Sequence, residues 1–152
     1  MVMKNILFLC TGNSCRSVLA EAYITAASQG AWRGFSAGSQ PTGTVHPMAL
    51  ATLRDLGLPT EGYRSKSWDE FAQAPAMDVP AMDVIVTVCD NAAGETCPVW
   101  PGHPATYHWP FPDPAAFQGE AAQVAAHFHD VMNLIQAQID GFLADGTVTA
   151  RP

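Results

Sequence analysis

Cys10 and Arg16 are the residues whose types and spacing most directly suggest chemistry. They bracket the segment Cys10-Thr11-Gly12-Asn13-Ser14-Cys15-Arg16-Ser17, which follows the apolar run Ile6-Leu7-Phe8-Leu9 and precedes an amphipathic helical pattern. A Gly-containing loop that leaves a strand and opens a helix converges its backbone N–H groups on one point. There the helix dipole favours negative charge, so a tetrahedral oxyanion is the expected guest. The same field stabilises a thiolate, which predicts that Cys10 is a low-pKa nucleophile. Arg16 adds a planar fork able to grip two oxygens of the anion. A cysteine and an arginine separated by five residues say little by themselves; their placement between strand and helix says much more. The plain alternative, a strand-end cysteine acting as a small hydrophobe, leaves the loop without a purpose.

The elements that must position this loop can be read along the chain. Residues 3–9 are expected to form a buried strand. From Ser17 to Ala27, the residues Leu19, Ala20, Tyr23, Ile24 and Ala27 recur at helical spacing, and Gly30 ends the pattern. Trp32–Ala37 reads as a short strand closed by Gly38. Pro47 suits the first turn of a helix through Ala49, Leu50, Leu53 and Leu56, with Gly57 at its end. Ser67–Phe71 is expected to be a short helix capped by Ser67, with Asp69 and Glu70 in its first turn. Pro75-Ala76-Met77-Asp78-Val79 repeats at once as Pro80-Ala81-Met82-Asp83-Val84, a local duplication in a loop. Val84–Val88 is the clearest central strand and runs into Cys89. Six of the 12 prolines fall between Pro98 and Pro114, predicting a stiff cover broken by a short strand near Thr106–His108. Val124, Phe128, Val131, Met132, Ile135, Ile139 and Phe142 mark the apolar stripe of a long terminal helix.

Strands alternating with helices predict an α/β fold, a single three-layer domain over residues 1–152 with a four-stranded parallel sheet flanked by helices. Sites in such sheets form outside the carboxyl ends of the strands, where both Cys10 and Cys89 are expected. An apolar content of 48% and a charged content of 14% describe a globular core. No apolar run is long enough to span a bilayer. The absence of a secretory pattern predicts a cytoplasmic protein, in which cysteines are reactive more often than structural. A net charge of −7 without a basic stripe argues against nucleic acid, so anion binding must come from one focused site.

The segment Leu7–Ser17 resembles the phosphate loop of the low-molecular-weight protein tyrosine phosphatase family, and more closely its arsenate reductase branch. Ser36-Ala37-Gly38, Val86-Thr87-Val88-Cys89-Asp90-Asn91-Ala92 and His108-Trp109 through Asp113-Pro114-Ala115 carry the likeness further. The resemblance implies a thiol relay. Cys10 would attack the arsenic of arsenate, held by Thr11, Gly12, Asn13, Ser14, Cys15 and Arg16, with phosphate and sulfate as competing anions. Ser17 would hydrogen-bond the Cys10 thiolate, and Asp113 would protonate the departing oxygen. Cys89 would then attack Cys10, and Cys97 would attack Cys89, carrying the disulfide to a thioredoxin or a similar dithiol reductant. No cofactor is implied, and the protein is expected to be a monomer without nucleic-acid or membrane partners. The polar stretch 90–96 between the relay cysteines is suited to rearranging between redox states.

Several positions depart from the pattern. The spacing between Cys89 and Cys97 is a residue longer than in thioredoxin-coupled members. Some relatives bind a monovalent cation near the loop; Asn13, Glu21 and Ser36 match their ligands, but Lys66 stands in place of an Asp, so no metal is expected here. Val18, Ala115 and Ala116 replace residues typical of the tyrosine phosphatases, favouring the reductase. Aryl phosphate hydrolysis through phosphocysteine and a non-enzymatic redox-sensing or phospho-ligand binding module are the alternative readings. The cysteine spacings do not resemble zinc knuckles. Cys15 is read as a packing residue of the loop, and the plain alternative for Asp113 is a loop-stabilising turn residue before Pro114. Trp68, Trp100 and Trp109 can either rim a binding surface or pack in the core.

Overall fold

The structure, a computed structural model, describes residues 4–10, 12–13, 15–68, 82–88, 105–109, 111–112, 114 and 119–145. The helix expected from Ser67 onward therefore lies almost wholly outside the described residues, as do most of the tandem copy, Trp100 and most of the proline-rich cover. Within the described part, the first strand, β1 (Lys4–Cys10), is fully buried from Ile6 onward, as befits a central strand covered on both faces. It runs one residue beyond the expected end and so carries Cys10 itself. Helix α1 (Arg16–Ala27) starts one residue before Ser17, with Cys15 at its N-cap. Gln29 and Gly30 then take positive φ angles of 53° and 91°. Glycine adopts such a turn without a Cβ penalty, which is why the helix ends there.

Strand β2 (Trp32–Gly38) follows, then helix α2 (Pro47–Asp55). His46 is the α2 N-cap: its Nδ1 accepts the Met48 N–H at 3.0 Å, and Pro47 occupies the first turn, where a missing N–H costs nothing. Strand β3 (Val84–Thr87) is entirely buried and one residue shorter than expected. Val88 nevertheless continues the ladder by donating its N–H to the Leu9 carbonyl at 2.8 Å. Strand β4 (Ala105–His108) and helix α3 (Ala121–Asp145) complete the described elements. The four strands form one parallel sheet in the order β2-β1-β3-β4, so the expected α/β fold is the observed one. Cys10 lies opposite Gly38, Leu9 opposite Thr87, and Thr87 opposite His108, which brings four carboxyl ends to one edge.

Alternation along β1 divides the core. Ile6 and Phe8 pack with Val84, Val86 and the apolar residues of all three described helices, while Leu7 and Leu9 pack with Ala37, Ile85, Trp68 and Met82. The expected α3 stripe is core: Phe128, Val131, Met132, Ile135, Ile139 and Phe142 are buried. Helix α1 is buried more widely than one stripe, with Ser17, Val18 and Ala22 inside as well, because it touches β1, β2, α2 and α3 together. For Trp68 and Trp109 the tryptophan question resolves as packing. Trp109 is fully buried against Phe8 and Phe142, and Trp68 belongs to the second face.

One glycine is required by proximity. A Cβ on Gly34 of β2 would meet the Glu21 carbonyl oxygen of α1 at 2.7 Å and Ile24 Cγ2 at 2.9 Å. The Gly34 N–H also donates to Thr25 Oγ1 at 3.0 Å. Gly34→Ala must push α1 off β2 and should destabilise the fold by about 1–3 kcal/mol, the usual cost of overpacking. Urea unfolding of the variant measures this; an unchanged midpoint would contradict the close approach.

Candidate active site

The site begins with a strand end and a helix start held side by side. Cys10 is the last residue of β1 and Arg16 the first of α1, and the intervening loop must reverse in five residues. Asn13 makes that possible by adopting φ 48°, a left-handed conformation that asparagine tolerates better than other residues with a Cβ. Its backbone N–H then donates to Cys10 Sγ at 3.2 Å.

A directed chain of hydrogen bonds supplies a second donor. The Lys66 backbone N–H donates to Asn13 Oδ1 at 2.8 Å. An amide N–H can only donate, so this contact fixes which end of the Asn13 side chain carries oxygen. The other end, Nδ2, donates to Ser17 Oγ at 2.8 Å. Ser17 thereby accepts from Asn13, which leaves its own proton available to Cys10 Sγ, 3.1 Å away, whenever that sulfur is ionised. Asn13 and Ser17 are fully buried and Cys10 nearly so. Burial by itself disfavours a thiolate, but two donors aimed at the sulfur at a helix N-terminus favour it. The donors address the charged form specifically.

Arg16 is oriented from the opposite side. Its Nη1 donates to the Phe111 carbonyl at 3.0 Å, and the Phe111 N–H donates to the Val88 carbonyl at 3.1 Å. The guanidinium is thus tied to the carboxyl end of β3, the segment that leads into Cys89 in the chain. Val88 itself is bonded to Leu9, the residue before Cys10. At the same edge, His108 Nδ1 lies 2.7 Å from Thr87 Oγ1.

Cys10, Gly12, Asn13, Cys15, Arg16 and Ser17 therefore lie together where β1 ends and α1 begins. Cys15 is buried in the main core cluster, in keeping with its packing role in the loop. Thr11, Ser14, Cys89, Cys97 and Asp113 lie outside the described residues. Among the contributors that escaped the sequence reading are the Lys66 backbone amide and the Phe111 carbonyl. Main-chain groups leave no side-chain signature, and they lie 53 and 95 residues from their partners.

Glu21 sits behind this chain. Ser36 Oγ donates to Glu21 Oε1 at 2.6 Å, and Lys66 Nζ donates to the Arg64 carbonyl at 3.0 Å. Burial raises the Glu21 carboxyl above its ordinary value of 4.5, opposed by the Ser36 hydrogen bond and by the charges of Lys66, Arg33 and Arg64. The folded protein therefore holds this proton to higher pH than the unfolded chain. The associated stability is fully present below the unfolded pKa and is lost as pH rises through the folded one. Glu21→Gln should accordingly gain melting temperature over the parent at neutral pH, with the gain fading toward about pH 4. A gap that widens on acidification would contradict this. Among the described residues, no group of three or more His, Cys, Asp or Glu is placed to hold a metal ion, and no helix is long and apolar enough to cross a membrane.

Comparison with known proteins agrees with this geometry. The family model for low molecular weight phosphotyrosine protein phosphatases matches residues 5–150. An arsenate reductase of Bacillus subtilis is 34% identical over 146 residues, covering 96% of this chain and 99% of its own. The solved structure of an arsenate reductase in its phosphate-binding state superposes with a TM-score of 0.72 at 26% identity, over 94% of this chain and 98% of that one. A low molecular weight protein tyrosine phosphatase from T. tengcongensis gives a TM-score of 0.74 over 93% and 99% of the two chains; at 19% identity it bears on the fold alone.

Proposed function

The chain belongs to the low molecular weight phosphotyrosine protein phosphatase family, and on that premise we propose that it reduces arsenate to arsenite. The observation that carries the reading is the pair of contacts on Cys10 Sγ, the Asn13 N–H at 3.2 Å and the Ser17 hydroxyl at 3.1 Å, with Arg16 at the start of α1 held by the Phe111 carbonyl. The Cys10 thiolate attacks arsenic, and the loop amides with Arg16 take up the negative charge on the oxygens. An oxygen leaves as water with a proton from Asp113. Cys89 then attacks Cys10 Sγ; the sulfur–arsenic bond breaks with its electron pair on arsenic, which departs as arsenite. Cys97 attacks Cys89, freeing the Cys10 thiolate, and thioredoxin or a similar dithiol reduces the Cys89–Cys97 disulfide. The pairing of Val88 with Leu9 supports the second step, since each precedes a relay cysteine in the chain.

The competing use of the loop, hydrolysis of an aryl phosphate through phosphocysteine, needs Cys10, Arg16 and Asp113 but neither Cys89 nor Cys97. Arsenate-dependent oxidation of a reduced thioredoxin system separates the two. The parent should consume reductant with arsenate and not with phosphate, whereas Cys97→Ser should stop turning over with thioredoxin. Equal turnover by parent and Cys97→Ser would refute the relay. The Lys66 ammonium lowers the cost of the buried Glu21 charge, so the site is proposed to work without a monovalent cation; melting temperatures in potassium and choline chloride should coincide.

A further inference from the structure

We propose that Ser65 is a positioning residue that locks the Gly12–Asn13 peptide and thereby aims the Asn13 N–H at the reactive sulfur. The inference rests on the reading of Cys10 as a thiolate nucleophile, and on nothing about which oxyanion that thiolate attacks.

The Gly12 carbonyl and the Asn13 N–H belong to one planar trans peptide, so they point in opposite directions. The N–H faces inward, to Cys10 Sγ at 3.2 Å. The carbonyl faces outward and receives two donors, the Thr42 N–H at 3.0 Å and the Ser65 hydroxyl at 3.0 Å. The direction of the Ser65 bond follows from chemistry. A carbonyl oxygen cannot donate, and the Gly43 N–H, 3.1 Å from Ser65 Oγ, cannot accept. Ser65 thus accepts from the 42–44 loop and donates to the phosphate-type loop, tying the two together.

The lock has something to resist. Rotating this peptide by half a turn would change ψ of Gly12 and φ of Asn13 together. It would move Asn13 from its left-handed φ of 48° toward the extended region, which residues with a Cβ prefer. Glycine at position 12 offers no steric barrier to that rotation. The same rotation would withdraw the N–H from Cys10 and present a carbonyl oxygen to the thiolate. Outward bonds to Gly12 oppose the flip, and Ser65 supplies the only side chain among the described residues that makes one. Lys66, next in the chain, holds the Asn13 side chain at 2.8 Å, so adjacent residues of one segment fix both the amide and the side chain that serve Cys10.

The test is the pH dependence of Cys10 alkylation by iodoacetamide in the parent, Ser65→Ala and Ser65→Thr, with the alkylated residue located by mass spectrometry. Losing one of two outward bonds should slow alkylation of Ser65→Ala at about pH 6 by about threefold to tenfold and move its midpoint upward, while Ser65→Thr, which keeps the hydroxyl, restores the parent profile. Amide exchange distinguishes a local role from general loosening: in Ser65→Ala the Asn13 amide should exchange faster while the amides of Ile6–Leu9 do not. A Ser65→Ala profile that superimposes on the parent's, or faster exchange at Asn13 and β1 alike, overturns the proposal. A parent whose Cys10 titrates as an ordinary thiol overturns the thiolate reading and this proposal with it, whereas an arsenate-inactive parent with a low midpoint overturns only the substrate assignment.

Discussion

Cys89→Ser should leave the first chemical step intact and abolish turnover. With Cys10, Arg16 and Ser17 untouched, the variant still binds an oxyanion and is still protected by it from alkylation. No second sulfur remains to accept the Cys10 bond, so arsenite release in a thioredoxin-coupled assay should fall to the uncatalysed background. The sign of a second observable separates this from a folding defect. Aryl phosphatase activity, which uses the loop and no relay, should persist in Cys89→Ser at about the parent's level and vanish in Cys10→Ser. Arsenate reduction by Cys89→Ser at the parent's rate would remove the relay from the account.

Arg16→Lys should be nearly as damaging, although the charge is retained. The guanidinium has five donors in a rigid plane; one is spent on the Phe111 carbonyl, which orients the group across the loop. Lysine offers a compact ammonium on a flexible stem and cannot hold that contact while presenting a fork to two anion oxygens. Developing charge on the oxyanion then loses a preorganised donor pair. Losses of this kind cost about 10²–10³-fold in kcat, so kcat/KM for arsenate should fall at least that far. Activity of Arg16→Lys within a few-fold of the parent would mean that charge alone, and not geometry, holds the anion.

The part of this site legible in the sequence is the part built from neighbours in the chain. An apolar strand ending at Cys10, a loop with Gly12, and a helix opening at Arg16 follow from local pattern, and the structure differs from that reading only by a residue at each boundary. The α3 stripe and the Pro47 helix start were equally plain, since each rests on periodicity or on a residue with one conformational use. The supports from a distance were not visible. Lys66 and Phe111 act through main-chain atoms, which any residue type carries. The left-handed Asn13 is intermediate: asparagine tolerates that conformation, but only the packed loop shows that it is used to aim an N–H at sulfur. Helix α1 was underread for a related reason. Val18 and Ala22 fall off the expected stripe and are buried because the sheet and two helices surround α1. Tertiary surroundings, and not periodicity, decide how much of a helix is covered.

The central claim is that Cys10 is ionised at neutral pH because donors from Asn13 and Ser17 and the α1 N-terminus converge on it. Its most direct test is the thiolate absorbance of the parent followed against pH, with Cys10→Ser subtracted and with arsenate or phosphate added in a parallel series. The account predicts a Cys10 midpoint at least about one unit below the ordinary thiol value of ~8.5, and slower alkylation whenever the oxyanion is present. A midpoint at or above the ordinary value, with alkylation indifferent to either anion, would contradict it.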